Sequence, residues 1–308
     1  MLHVAMYHYV RDLPHTPYPN LKAMLSSDFR AQVAELRATH EMATLESALA
    51  YLRGEYQPKR ELCLLTFDDG TSEHFHEVTP LLADLKIQGL FFLITSCVEE
   101  HKVAPVHMNH FLMAKLDFPV YRREMIERLG TDEHIDEAVA RKTYHWDTLE
   151  VAKFKYLFNF AAPADLRDKA VAEVFEKHIA PEPEFSRELY VSWDQARAMQ
   201  HAGMSIGGHT HWHRPLATLT QEELEFDLGS CRRLLDQRLE PQSLVPFCYP
   251  YGKRASFSDA AVAELKRLGF ACSFSTEPGA NEPGADPFII RRVDCKNALD
   301  HVREKVTC

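Results

Sequence analysis

Short apolar runs ending in small or polar residues alternate with helix-length amphipathic stretches along most of this chain. That alternation limits the fold more than any other feature. Residues 3–9, 62–66, 90–95, 244–249 and 271–275 read as strands. Between them, Ser27 is placed to cap a helix with Phe29, Val33 and Leu36 on one face. A second helix runs to about Lys86 with Gly89 as its stop. Ser192 precedes a helix over 194–202, ended by Gly203. Thr220 and Glu223 have capping-box spacing ahead of Leu224, Leu228, Cys231 and Leu235, and a last helix over 258–268 has Gly269 behind it. The pattern predicts an α/β fold.

Residues 97–190 break the rhythm. They are charged, helix-prone and too long for an ordinary connection, so a helical insertion is expected within a single domain spanning 1–308. It would serve as scaffold, as an oligomer contact, or as a lid over substrate; a homo-oligomer is left open. The formal net charge of −10, from 45 acidic and 35 basic residues, argues against a nucleic-acid or anionic-membrane partner. Residues 1–12 show no basic stretch leading into an apolar run, and nowhere is there an apolar run of about 18–20 residues. A signal peptide and a transmembrane segment are therefore not expected. The seven cysteines are scattered without a CxxC pair, as for free thiols in a reducing compartment, and a cytoplasmic location is expected.

Three short segments carry the chemistry. Thr66-Phe67-Asp68-Asp69-Gly70 sets two carboxylates at the end of an apolar strand, where they point in different directions and can take different work. His209 and His213, in Gly207-Gly208-His209-Thr210-His211-Trp212-His213, have spacing that suits two ligands on one metal. Seventeen histidines give about one such pair by chance, so the strand-end context matters more than the spacing. His211 is the alternative ligand if the segment stays extended. Phe247-Cys248-Tyr249-Pro250-Tyr251-Gly252 ends a strand in a turn that can aim a main-chain N–H into a cleft.

Together, and in this order, the three segments resemble the motifs of the polysaccharide deacetylase family, the NodB-homology domain of carbohydrate esterase family 4, over about residues 60–275. The resemblance implies a distorted (β/α) barrel of about seven strand-helix units with its active site at the C-terminal strand ends. It implies one divalent metal, zinc in most members, held by Asp69, His209 and His213, with Asp68 as general base and the Tyr251 N–H stabilising the oxyanion. Two departures stand out. Cys248 occupies the place of an arginine that orients the base in many members, and the family's late Leu-x-His motif has no copy here, only His301. A permuted branch of the family carries its acid histidine on an N-terminal Tyr-His strand. Met6-Tyr7-His8-Tyr9 is similar to that strand, so His8 is the expected general acid. Arg292, in Arg291-Arg292-Val293-Asp294, is the expected substitute for the missing arginine.

Trp212, Tyr249 and Pro250 are candidates for contact with a sugar. His74 and His76 are expected to be solvent-exposed, and nothing in the spacing of His107 and His110 demands a role. The implied activity is removal of an N-acetyl group from a nucleotide-linked, lipid-linked or oligosaccharide N-acetyl sugar, a precursor or intermediate in surface-polysaccharide synthesis. A hydrolase of a cyclic ureide or formamide, or a non-catalytic saccharide-binding relative, are the alternatives.

Overall fold

The computed structural model describes residues 1–130, 135–296 and 298. The chain divides into two compact units. The larger comprises Met1–Asp12, Ala23–Lys102 and the chain from Arg187 onward; the smaller comprises Leu13–Lys22 and Val103–Ser186.

The larger unit is built on a parallel sheet with strands β1 (Leu2–Tyr7), β2 (Glu41–Met42), β3 (Leu62–Phe67), β4 (Gly89–Leu93), β5 (Ser205–Gly208), β6 (Pro246–Cys248), β7 (Cys272–Phe274) and β8 (Val293–Asp294). Seven of them follow one path, β8-β1-β3-β4-β5-β6-β7, and β2 pairs with the first two residues of β3. Ser275 N–H donates to the Ile290 carbonyl at 2.8 Å, and Ile290 N–H to the Ser273 carbonyl at 3.0 Å. The short segment leading into β8 therefore ties β7 back toward β1, and the α/β sheet that the alternation predicts curls into the distorted barrel that the resemblance implies.

Strand phase decides what enters the barrel. Successive side chains on a strand face opposite ways. Leu2, Val4, Leu62, Leu64, Leu90, Phe92, Cys248, Cys272, Phe274 and Ile290 form one buried cluster. Tyr7, Cys63, Leu65, Phe67, Phe91, Leu93, Ile206 and Phe247 face the other way, against Phe29, Val33 and Leu36 of helix α1 (Ser26–Thr39) and Leu224, Leu228, Cys231 and Leu235 of a later helix. Phe67 stacks between Tyr7 and Phe91, with ring centroids 5.1 and 4.7 Å apart. Truncating it to alanine would cost about 3–5 kcal/mol and loosen the strand that carries Asp68 and Asp69.

The capping box at Thr220/Glu223 forms as its spacing predicts, and the structure adds a second one at Ser192/Gln195. Two local expectations fail. The first helix begins at Ser26, so Ser27 lies inside it and Leu25 is the N-cap. The stop after the second helix is Lys86 in a left-handed conformation (φ 56°), while Gly89 opens β4, where a Cβ would sit 2.8 Å from Leu82 Cδ1.

The smaller unit is helical, with Pro105–Lys115, Phe118–Leu129, Glu137–Thr143, Leu149–Tyr156 and Ala164–His178 around an aromatic core of Phe111, Tyr121, Phe154, Phe158 and Phe175. Leu13–Lys22 joins it through Tyr18, whose ring meets Phe111 edge-on at 4.8 Å. His107 is buried there and His110 is half-buried. Among the described residues, no helix is long and apolar enough to cross a membrane.

Candidate metal centre and active site

The barrel-facing phase of each strand, continued past its end, delivers the site. His8 follows Leu2 and Val4 in phase, Asp68 follows Leu62 and Leu64, and Arg292 follows Ile290. His209 and Cys248 arrive in the same way from β5 and β6. At Asp69 the chain turns with φ 79° and at Gly70 with φ 67°. A Cβ on Gly70 would lie 2.6 Å from Leu93 Cδ2 and 3.4 Å from Leu93 Cα at a positive φ, so a side chain here would be strained.

Asp69 Oδ1 lies 3.4 Å from His209 Nε2 and 3.5 Å from His213 Nε2. All three side chains are buried, and one donor atom from each falls within 4.8 Å of the others. His209 Nδ1 sits 2.8 Å from the Cys248 carbonyl, which can only accept. Nδ1 therefore carries a proton, and Nε2 is the ring atom that faces Asp69 and that a cation would take. Thr210 (φ 65°) and His213 (φ 56°) turn the loop, and the Thr210 hydroxyl accepts the His213 N–H at 2.8 Å. Two imidazoles and a carboxylate converging in this way fit a divalent cation such as zinc.

Asp68 stands apart from that trio. Arg292 forks onto it, Nη1 to Oδ1 and Nη2 to Oδ2, each at 2.7 Å. The guanidinium is fully buried and held by the Ser275 carbonyl (2.8 Å), the Thr66 hydroxyl (3.2 Å) and Cys248 Sγ (3.0 Å). Burial alone would push the Asp68 carboxyl up, but Arg292 overrides it and holds the group at about 2. His8, half-exposed, places Nε2 3.7 Å from Asp68 Oδ2. Burial likewise disfavours a charged imidazole at His209, yet Cys248, Asp69 and Asp68 draw its pKa well above the ordinary value. The pocket favours positive charge.

Tyr251 (φ 61°) and Gly252 (φ 60°) form the turn expected after β6, and the Tyr251 ring lies 5.5 Å from that of His213. A Cβ on Gly252 would come within 2.6 Å of Thr276 N. Pro250 is buried beside them.

Several expectations need correction. His211 does not join the trio: the turn at Thr210 sends it to Thr95 Oγ1 (3.0 Å) and Glu100 (3.1 Å). Tyr249 is 1% exposed, stacks on Phe257 at 3.9 Å and donates its hydroxyl proton to the Phe288 carbonyl, so its ring packs the core and offers no face to a sugar. Trp212 stays half-buried, stacked on the exposed Phe226 at 5.0 Å with Arg214 over its ring. His74 is fully buried, unlike the exposed His76. Its Nε2 lies 2.8 Å from the His8 carbonyl, so it fixes the backbone of the expected acid. Asp227 was not anticipated. It accepts the His211 and Trp212 N–H groups at 2.7 and 3.1 Å, and burial raises its pKa to about 6. His301 lies outside the described residues.

These features define a class: a curled parallel α/β sheet whose C-terminal strand ends gather a His-His-Asp trio that fits a divalent cation beside a second, ionised carboxylate. The family follows from the sequence comparison. A family model described as polysaccharide deacetylase matches residues 55–273, and the chain belongs to that family. YxkH of Bacillus subtilis strain 168, a protein named as a polysaccharide deacetylase, is 24% identical over 104 residues, which span 34% of this chain and only 36% of that protein's length. Three solved structures share the fold. IcaB from Ammonifex degensii is 20% identical (TM-score 0.61) over 100% of this chain and 97% of its own. The Streptococcus pyogenes deacetylase PplD, in complex with acetate, is 14% identical (TM-score 0.62) over 98% and 96%. A de-N-acetylase from Aggregatibacter actinomycetemcomitans is 15% identical (TM-score 0.58) over 98% of both chains.

Proposed function

We propose that this chain is a metal-dependent hydrolase that removes an N-acetyl group from an N-acetylated sugar. The observation that carries this reading is the division of labour at the end of β3. Asp69 belongs to a His-His-carboxylate trio, while Asp68, one residue earlier, is held ionised by Arg292. A binding module has no use for an ionised carboxylate aimed beside an open cation site. The solved structure of PplD holding acetate concerns a chain of the same fold, and acetate is the product this reaction requires.

Asp69, His209 and His213 would hold the cation, zinc in this proposal. It would supply Lewis-acid polarisation of the acyl oxygen and lower the pKa of a bound water. Asp68 takes a proton from the attacking water as that oxygen bonds to the acyl carbon. Arg292 fixes both carboxylate oxygens and so sets the direction of transfer. The C–N bond then breaks, and His8 protonates the leaving nitrogen, giving a free amine and acetate. The Tyr251 N–H steadies the negative charge on the tetrahedral oxygen. Trp212 and Pro250 border the sugar. The reading extends to a cytosolic precursor of a surface polysaccharide, and fractionation of the native protein tests that compartment.

The test is acetate release by zinc-loaded protein from nucleotide-linked, lipid-linked and oligomeric N-acetyl sugars, beside cyclic ureides and formamides. Release confined to the sugars supports the proposal. Turnover confined to a ureide or formamide replaces it with a non-sugar amidohydrolase, and saccharide binding without any turnover marks a non-catalytic binder.

A further inference from the structure

A second trio with the same donor chemistry lies at the opposite end of the sheet. His3 near the start of β1, His40 just after helix α1, and Glu61 immediately before β3 bring one donor atom each within 4.8 Å of the others. His8 lies five residue steps beyond His3 along β1 and its extension, about 16 Å at strand rise, so the trio is not part of the site already described. His3 and His40 are 5% and 3% exposed, whereas the Glu61 side chain is 42% exposed and leaves a side open to water.

The three side chains are fixed by backbone pairing. His3 is in register with Cys63, Leu62 N–H donates to the Met1 carbonyl at 2.9 Å, and Glu41 N–H donates to the Glu61 carbonyl at 3.0 Å. The tautomer of His40 can be assigned. The single proton of the Thr39 hydroxyl goes to the Glu35 carbonyl (2.8 Å) or the Leu36 carbonyl (3.3 Å). The 2.8 Å contact between Thr39 Oγ1 and His40 Nδ1 must then be donated by the ring. His40 Nε2 keeps its lone pair, as a metal ligand requires. His3 Nε2 lies 2.9 Å from Glu61 Oε2, an arrangement that shares one proton and in which a cation can replace it. The Met1 amino group faces the other oxygen, Oε1, at 3.7 Å. His40 also sits at the C-terminal end of the 14-residue α1, where the helix dipole favours positive charge.

We propose that His3, His40 and Glu61 form a second divalent-metal site, of the zinc class by its two imidazoles and one carboxylate. With solvent as fourth ligand, it ties the N-terminal strand to α1 and β3.

The experiment counts zinc in the full chain by elemental analysis after equilibration against a competing chelator. Wild type is expected to hold two equivalents. Asp69→Asn/His213→Gln should hold one, and zinc should still raise its melting temperature. Adding His40→Gln should remove that equivalent and the thermal shift. Because a buried histidine variant can fail to fold, Glu61→Gln, at a half-exposed position, serves beside it. It should weaken the second zinc at least tenfold while leaving the first zinc and the catalytic rate intact. A single equivalent in wild type and none in Asp69→Asn/His213→Gln overturns the proposal, as does a second equivalent that both His40→Gln and Glu61→Gln retain.

Discussion

Replacing Arg292 by methionine tests how Asp68 is kept ionised. The guanidinium supplies both 2.7 Å bonds to that carboxylate, and its other donors are satisfied by the Ser275 carbonyl, the Thr66 hydroxyl and Cys248. The ordinary value for the group is 3.8 and the folded value about 2, a drop that corresponds to about 2 kcal/mol. The folded pKa lies below the unfolded one. Ionised Asp68 therefore stabilises the fold above about pH 4, and the contribution disappears as pH falls towards 2. Methionine fills much of the volume but strands a buried charge, a defect worth about 3–5 kcal/mol at neutral pH. For a unit of this size that is a fall in melting temperature of roughly 6 °C or more. Burial, the largest influence on the group, would then outweigh the remaining pull of His209 and His8, the Asp68 pKa would climb above its ordinary value, and the sign would reverse: the variant should gain stability on acidification from pH 7 towards 4. Urea denaturation across pH 3–8, followed by circular dichroism, measures both effects. A variant with the wild-type midpoint and unchanged pH dependence would refute the reasoning.

Asp68→Asn should keep zinc and lose about 10²- to 10⁴-fold in turnover, whereas His209→Ala should lose both; zinc analysis beside acetate release separates them. His8→Gln should slow amide hydrolysis by about 10²-fold or more yet barely affect an aryl acetate, whose leaving group needs no proton, so equal losses on both substrates would remove His8 from the acid role. Asp227, raised from 3.8 to about 6, binds its proton more tightly folded than unfolded. Its contribution to stability is full below about pH 4 and fades as pH rises through 6, an effect of up to about 3 kcal/mol. Denaturation midpoints should rise between pH 7 and 5 in wild type, and Asp227→Asn should flatten that rise.

The parallel α/β sheet was legible because β3 and β4 are continuous apolar runs bounded by turn residues, buried on both faces. The strand end at Asp68 and Asp69 was legible for the same reason. The placement of His211 was not, since it depends on Thr210 adopting φ 65°, which no residue type announces outside glycine. Alternation applied one residue further would have put Tyr249 on the helix-facing side with Phe247, opposite Cys248. Tyr249 packs with Phe247 in the helix-facing cluster, and Cys248 in the barrel-facing one. His74 faces inward because the helix after the first motif opens with a wide π-type turn over His74–Val78, invisible to a 3.6-residue pattern. Asp227 joins its loop across 15 and 16 residues with no local signal. The meeting of Arg292 with Asp68, 224 residues apart, could be read only through the resemblance and the gap it left at Cys248. The structure also packs Leu13–Lys22 with the helical unit, a long-range association that the composition of 97–190 does not contain.

Chelator-reversible acetate release tests the central claim most directly. Purified protein is stripped of metal, reloaded with zinc, and assayed on an N-acetylated oligosaccharide for acetate and free amine together. The account predicts equimolar acetate and amine from the zinc-loaded wild type, none after chelation, recovery on adding zinc back, and none at any stage from Asp69→Asn. Release that survives chelation, or that Asp69→Asn retains, would contradict it.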